Sequence, residues 1–178
     1  MAMELPHFRY YKDPIASGVI KPSDAVCLCC ERARGHIYVG PVYSVEDLSE
    51  RLCPWCIADG RAAERFQASF ISYHALDEAG VAPSAIEEID RRTPGYFTWQ
   101  EATWLAHCDD ACAFYGDASE EDVRDASVAT RQQWMQDYEL AEKDWEWATK
   151  GYKPAGDSAF YKFVCVHCQQ VVLAWDLS

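Results

Sequence analysis

Nine cysteines carry the chemistry that this chain can do, and their spacing sorts eight of them into two sets of four. Cys27-Leu-Cys29-Cys30 and Cys53-Pro-Trp-Cys56 each contain a C-x-x-C pair, with 22 residues between Cys30 and Cys53. Such a loop points two sulfurs at one centre, so the pairs predict a four-thiolate zinc site of Cys27, Cys30, Cys53 and Cys56. Further on, Cys108 and Cys112 have three residues between them, and Cys165-Val-His-Cys168 repeats the knuckle spacing. If residues 108–112 are helical, both of those thiols lie on one face, which predicts a second zinc held by Cys108, Cys112, Cys165 and Cys168. His107, beside Cys108, offers a Cys3His alternative, but the available fourth cysteine favours the all-sulfur set. Cys29 is left over and reads as a small packed side chain.

A zinc closed by four protein ligands has no open position for water, so both ions are expected to organise folding and not to activate a nucleophile. A catalytic zinc is disfavoured because His7, His36, His74, His107 and His167 are scattered without an H-E-x-x-H spacing. Asp59, Asp109 and Asp110 have no nucleophile to serve. Phosphate loops, nucleophile elbows and Cys/His catalytic signatures are missing from the sequence, and the expectation is a protein that is not an enzyme, with no catalytic residue.

The elements that must position these cysteines follow from local pattern. Residues 1–25 carry Pro6, Pro14 and Pro22 among aromatics and suit an extended lead-in. Gly35 to Tyr43 is rich in β-formers around Gly40-Pro41 and predicts two short strands about a turn. Ser44 to Asp47 resembles a capped helical turn. Ile57 to Phe70 predicts a helix whose Ala62, Ala63, Phe66 and Phe70 lie close to one face. Ser84-Ala-Ile-Glu87 and Thr98-Trp-Gln-Glu101 read as capping boxes, the first opening a helix that stops before Pro94 and the second a helix delivering Cys108 and Cys112. Trp134, Tyr138, Ala141, Trp145 and Ala148 form a helical stripe within 119–150. Phe160–Val164 and Val171–Trp175, around the last knuckle, look like a zinc-ribbon hairpin, although their alternation is imperfect.

The predicted class is therefore α+β with two zinc-stapled modules. One is treble-clef-like (1–80) and one zinc-ribbon-like (81–178), the second carrying an acidic helical insertion at 117–150; the two either stand apart or pack as one domain. The 178 residues are 49% hydrophobic, enough to bury a core, and no run of about 18 apolar residues could span a bilayer. The chain reads as cytoplasmic, which favours metal over disulfides.

The formal net charge is −13, without a dense Lys/Arg cluster, and this argues against nucleic acid and for a basic partner. Residues 117–150 hold ten acidic and four basic side chains. Asp137, Glu139, Glu142, Asp144 and Glu146 are the candidate partner-binding residues there, against the plainer reading of a solvated helix back.

Several strings also resemble the CbrC family of bacterial proteins. They include Pro6-His-Phe-Arg-Tyr-Tyr-Lys-Asp-Pro14, Tyr38-Val-Gly-Pro-Val-Tyr-Ser44, Leu52-Cys-Pro-Trp-Cys-Ile-Ala-Asp-Gly60, His107-Cys-x-Asp-Ala-Cys-Ala-Phe114 and Phe163-Val-Cys-Val-His-Cys168. That family's link to colicin tolerance implies an immunity-type protein that binds and neutralises a basic, nuclease-like toxin. The alternatives are a zinc-organised stress or regulatory protein with another partner, and a zinc enzyme.

Overall fold

The computed structural model describes residues 4–178, so the first three positions of the 1–25 lead-in lie outside the described residues. The fold is mixed α and β, as expected. Strand β1 (Ile20–Pro22) pairs antiparallel with β2 (His36–Tyr38), and the first knuckle fills the connection between them. Four short helices follow, α1 (Pro54–Ala58), α2 (Arg61–Phe66), α3 (His74–Glu78) and α4 (Pro83–Arg92). A two-residue turn then joins β3 (Ala106–His107) to β4 (Asp110–Ala111). The C-terminal sheet has the order β5 (Ala113–Asp117), β6 (Ser158–Val164), β7 (Val171–Leu177), all antiparallel neighbours. Between β5 and β6 lie α5 (Glu120–Arg124), α6 (Val128–Asp137) and α7 (Glu142–Thr149).

Both faces of that sheet are covered, which explains the imperfect alternation of its strands. Tyr161, Phe163, Val172 and Ala174 enter the main core. Their neighbours Phe160 and Leu173 face Trp134, Trp145 and Tyr152 of the helical layer. A strand buried on two sides keeps period-two geometry but loses the polar alternation that one wet face would impose. The main core runs without interruption from Phe8, Tyr10 and Tyr11 through Cys27, Cys53 and Cys56 to Cys112, Phe163 and Cys165. One apolar interior thus crosses the 80/81 boundary.

Several predicted helices differ. The 57–70 helix is broken into α1 and α2 at Gly60, whose φ of 79° lies in the left-handed region that glycine adopts without strain. The 119–150 stretch is divided among α5, α6 and α7, and its stripe falls across α6 and α7. Glu139, at φ 53°, ends one run, and Ala141 becomes the exposed N-cap of α7, while Trp134, Trp145 and Ala148 are buried as the stripe required. Neither predicted capping box is used. Helix α4 starts at Pro83, a residue preorganised for the first helical position, and stops at Arg92 before Pro94 as expected, whereas 98–105 contains no helix. Nor do the β-formers of 35–43 pair with each other: β2 pairs with β1, and Tyr43 bridges Ser69. No helix covers Ser44–Asp47.

Candidate metal centres

The first centre begins with a knuckle. The Cys27 N–H donates to the Arg32 carbonyl (3.0 Å) and the Glu31 N–H donates back to the Cys27 carbonyl (2.8 Å), with Glu31 at φ 56°. This closed turn holds Cys27 and Cys30 on one side. The other half comes from the start of α1, where Cys53 is the extended N-cap and Pro54 fixes the first turn that carries Cys56. The ligand atoms of Cys27, Cys30, Cys53 and Cys56 all lie within 4.8 Å of one another. Cys30 Sγ and Cys53 Sγ are 3.9 Å apart. Tetrahedral zinc with bonds of about 2.3 Å sets its sulfurs about 3.8 Å apart, so the donor set fits.

Three of these cysteines are buried and Cys30 is half-buried. The Cys27 sulfur accepts the backbone N–H of Cys53 at 3.2 Å. A side-chain hydrogen bond from Cys53, followed by backbone N–H donors, lowers the Cys27 thiol to about 4 against the opposing effect of burial. Sharing that proton with Cys27, and burial, push Cys53 well up. Burial also raises Cys56. Cys29 is buried, its thiol raised by desolvation, and it stands outside the four-sulfur group. Arg65 braces this knuckle by donating to the Cys29 carbonyl at 2.7 Å.

The second centre uses the same turn. The Cys165 N–H donates to the Gln170 carbonyl (2.9 Å), the Gln169 N–H donates to the Cys165 carbonyl (3.1 Å), and Gln169 has φ 63°. Its partner arm is the β3–β4 hairpin. The ligand atoms gathered within 4.8 Å of one another are those of His107, Cys108, Cys165 and Cys168. His107 Nδ1 is 3.2 Å from Cys108 Sγ and 3.4 Å from Cys168 Sγ, close to the separation of about 3.5 Å that tetrahedral Cys3His bond lengths imply.

Cys112 is therefore not the fourth member of the group, and the reason is local. Cys108 and Asp109 both have positive φ (54° and 58°), the conformation of a two-residue hairpin turn, so no helical face can align Cys108 with Cys112. Cys112 instead lies beyond β4, its N–H donating to the Leu105 carbonyl and its carbonyl accepting the Trp104 indole N–H. The thiol is fully buried in the main core, and desolvation drives it well up. Asp109-Asp110 in a short polar stretch was the available turn signal; the capping-box pattern upstream outweighed it.

Cys108 and Cys168 are exposed, while Cys165 is buried. Burial opposes ionisation of Cys165, but backbone N–H groups of Cys168 and His167 outweigh it and lower the thiol to about 6. His167, inside the knuckle, is turned to Asp110, with Nε2 3.0 Å from Oδ2. Asp110 also accepts from Arg9 (2.9 Å) and Tyr10 (2.8 Å), tying the N-terminal segment to the hairpin and the knuckle. Burial raises its carboxyl, but these donors hold it below the usual range. Nothing in the sequence spacing singled Asp110 out for this positioning role.

The proposed partner carboxylates spread over three segments. Asp137 accepts from Gln133, Asp144 accepts the Ala141 N–H at the start of α7, and Glu142 pairs with Arg131 at 3.3 Å. Glu139 and Glu146 are exposed with no ion pair among the described residues. Among the described residues no helix is long and apolar enough to cross a membrane.

Comparison with known proteins gives a consistent family. A UPF0167 protein of Pseudomonas aeruginosa is 46% identical over 167 residues, covering 93% of each chain. UPF0167 proteins of Mycobacterium bovis and Mycobacterium tuberculosis are each 44% identical over 122 residues, covering 68% of this chain and 65% of theirs. No solved structure matches. The resemblance to the CbrC family is overturned, since the family model and these relatives carry the UPF0167 name and not that one. The family model matches residues 5–177, and the chain belongs to UPF0167, described as an uncharacterised protein family.

Proposed function

We propose that this protein is a zinc-organised interaction module in which both ions are structural. The observation that carries this reading is the pair of compact donor sets, one of four sulfurs and one of three sulfurs and an imidazole. Soft thiolates with one imidazole suit zinc in tetrahedral coordination, and a bound zinc would supply cross-linking and thiolate stabilisation. Four protein donors at each centre leave no protein-free position for water, which supports scaffolding over hydrolysis. The knuckle between β1 and β2 with a second cysteine pair at α1 supports a treble-clef-like reading, and the β6–β7 hairpin around Cys165 and Cys168 supports a zinc-ribbon-like one. Elemental analysis of protein purified without chelator tests the metal: two zinc per chain are expected, and a chain that folds without zinc removes the proposal.

For the partner, the acidic helical layer favours a basic protein. Glu139 and Glu146 are two of its uncommitted carboxylates, and next to Glu146 in the chain Trp147 is 64% exposed, a large anchor of the kind that dominates interfaces. The toxin-neutralising version of this reading depended on the resemblance that the family match replaces, and the acidic surface now stands alone. Glu139→Lys with Glu146→Lys is expected to weaken capture of a basic partner and to flatten its salt dependence while zinc content stays at two. Unchanged capture would move the interface off this layer.

A further inference from the structure

A cavity of about 560 Å³ opens between the N-terminal segment, the 96–99 loop and the C-terminal sheet, far in chemistry from the cysteine centres. Its lining includes the buried aromatics Tyr96, Phe114, Phe160 and Tyr161. Its rim is aromatic and exposed, Phe97 at 52%, Trp99 at 61% and Tyr115 at 41%. The volume falls in the range of small-molecule sites, which are mostly apolar with a few polar groups.

Two backbone features build this cavity. In β5 the register against β6 shifts between Phe114 and Gly116, a bulge that breaks strand alternation. Phe114, Tyr115, Gly116 and Asp117, on either side of that shift, all line the cavity. Gly116, at φ 98°, adds no side chain, and a Cβ there would meet nothing within 4 Å. The opposite rim is held by Asp176, buried on β7, whose Oδ2 accepts the backbone N–H groups of Trp99 (2.6 Å) and Gln100 (3.1 Å).

The charged lining of the cavity has one sign. Asp117, an exposed residue at the end of β5, lines it and has no ion pair among the described residues; partial shielding of its carboxyl raises it. Among the described residues, no lysine, arginine or histidine lines the cavity. Two ammonium groups lie over the rim residue Tyr115, Lys12 at 5.9 Å and Lys162 at 6.0 Å from its ring centre, and Lys162 is paired with Asp122. Aromatic faces attract a cation through the ring quadrupole, and a partly desolvated carboxylate without a counter-ion is relieved by one. Weakly hydrated alkylated ammonium groups satisfy both demands, because they leave water easily and present methyl groups to the rings.

We propose that this cavity is a binding site for a small organic ammonium ion, recognised by its aromatic rim together with Asp117. The test is titration of the full chain with choline and with 3,3-dimethyl-1-butanol, its uncharged carbon isostere, followed by two-dimensional NMR of the Trp99 indole. Choline is expected to shift that signal saturably, with the isostere at least about fivefold weaker. Asp117→Asn and the exposed Trp99→Ala should each weaken choline by a similar factor while zinc content and thermal midpoint stay at the parent values. Should Asp117→Asn disturb folding, Trp99→Ala still decides. Equal binding of the isostere, absence of choline binding, or binding indifferent to both substitutions would overturn the assignment.

Discussion

At Cys27 and at Cys165 the chain makes the same backbone turn, with an N–H to the carbonyl five residues on, a return bond from the residue four on, and positive φ at that residue. The centres differ in what completes them. The first knuckle meets a cysteine pair at the start of α1, inside the main core. The second meets the tip of the β3–β4 hairpin, where Cys108 and Cys168 remain exposed. A C-x-x-C knuckle therefore specifies half a site, and burial is decided by its partner arm. The N-terminal region consists of short strands and helices of five to ten residues, which are expected to depend strongly on a metal cross-link. The C-terminal region has a three-stranded sheet packed on both faces, which is expected to depend less on a bound ion.

The largest effect that separates the two centres is on folding. Structural zinc binding contributes on the order of 10 kcal/mol in small modules, comparable to the whole stability of a domain of about 5–15 kcal/mol. Cys53→Ser is expected to unfold the N-terminal half. Cys168→Ser should lose one zinc equivalent yet keep the β5–β7 sheet, with a lowered thermal midpoint by circular dichroism. If the two variants unfold alike, the contrast in dependence is wrong.

Metal removal gives a second contrast. Attack by a chelator requires access to the ligands, and only the second centre offers two exposed cysteines. Mixed with excess chromogenic chelator, the protein should release its zinc in two phases, the faster from the second centre. In Cys168→Ser only the slow phase should remain. Release in a single phase would mean that exposure of Cys108 and Cys168 does not govern exchange.

The ligand set of the second centre sharpens the comparison further. His107→Ala is expected to reduce zinc to one equivalent. Cys112→Ser should keep both ions and cost about 1–3 kcal/mol in chemical denaturation, from a hydroxyl placed in the apolar core. The reverse pattern, with Cys112→Ser losing zinc and His107→Ala retaining it, would restore the all-cysteine set.

The candidate donor clusters were legible where cysteine spacing is a local property. Both knuckles, the Cys53 and Cys56 pair, and the β6–β7 strands follow from short strings, because a turn or a strand is settled by a few neighbours. The fourth ligand of the second centre was not legible. A four-residue spacing means one face in a helix and something else in a hairpin, and the choice at 98–112 was made by packing of Trp104 and Cys112 in the core rather than by the Thr98-Trp-Gln-Glu101 pattern. The same holds for the 117–150 layer, whose Trp134 and Trp145 were recognisable as core while the break between α6 and α7 falls at Glu139 with positive φ, a conformation no apolar period reveals.

The helical layer, anchored without metal, supplies the smallest effect and the control for both centres. Asp122 accepts the Ser119 N–H at 3.0 Å and the Ser119 hydroxyl at 2.8 Å, and it pairs with Lys162 of β6. Burial raises its carboxyl, but the Lys162 and Ser119 donors prevail and hold it below the ordinary value. With a folded-state pKa below the unfolded value of about 3.9, the carboxylate stabilises the fold fully above that value and less as pH falls through the folded one. Asp122→Asn is expected to cost about 1–2 kcal/mol at neutral pH. The gap from the parent should narrow as pH falls through the folded pKa. Asp125→Asn, at an exposed pair with Arg124, should change stability too little to measure. Denaturant titrations at neutral and acidic pH check both. The zinc count at neutral pH must stay at two in each variant, because neither residue touches a cysteine centre; loss of zinc in Asp122→Asn would show that the helical layer and the second centre fold as one unit.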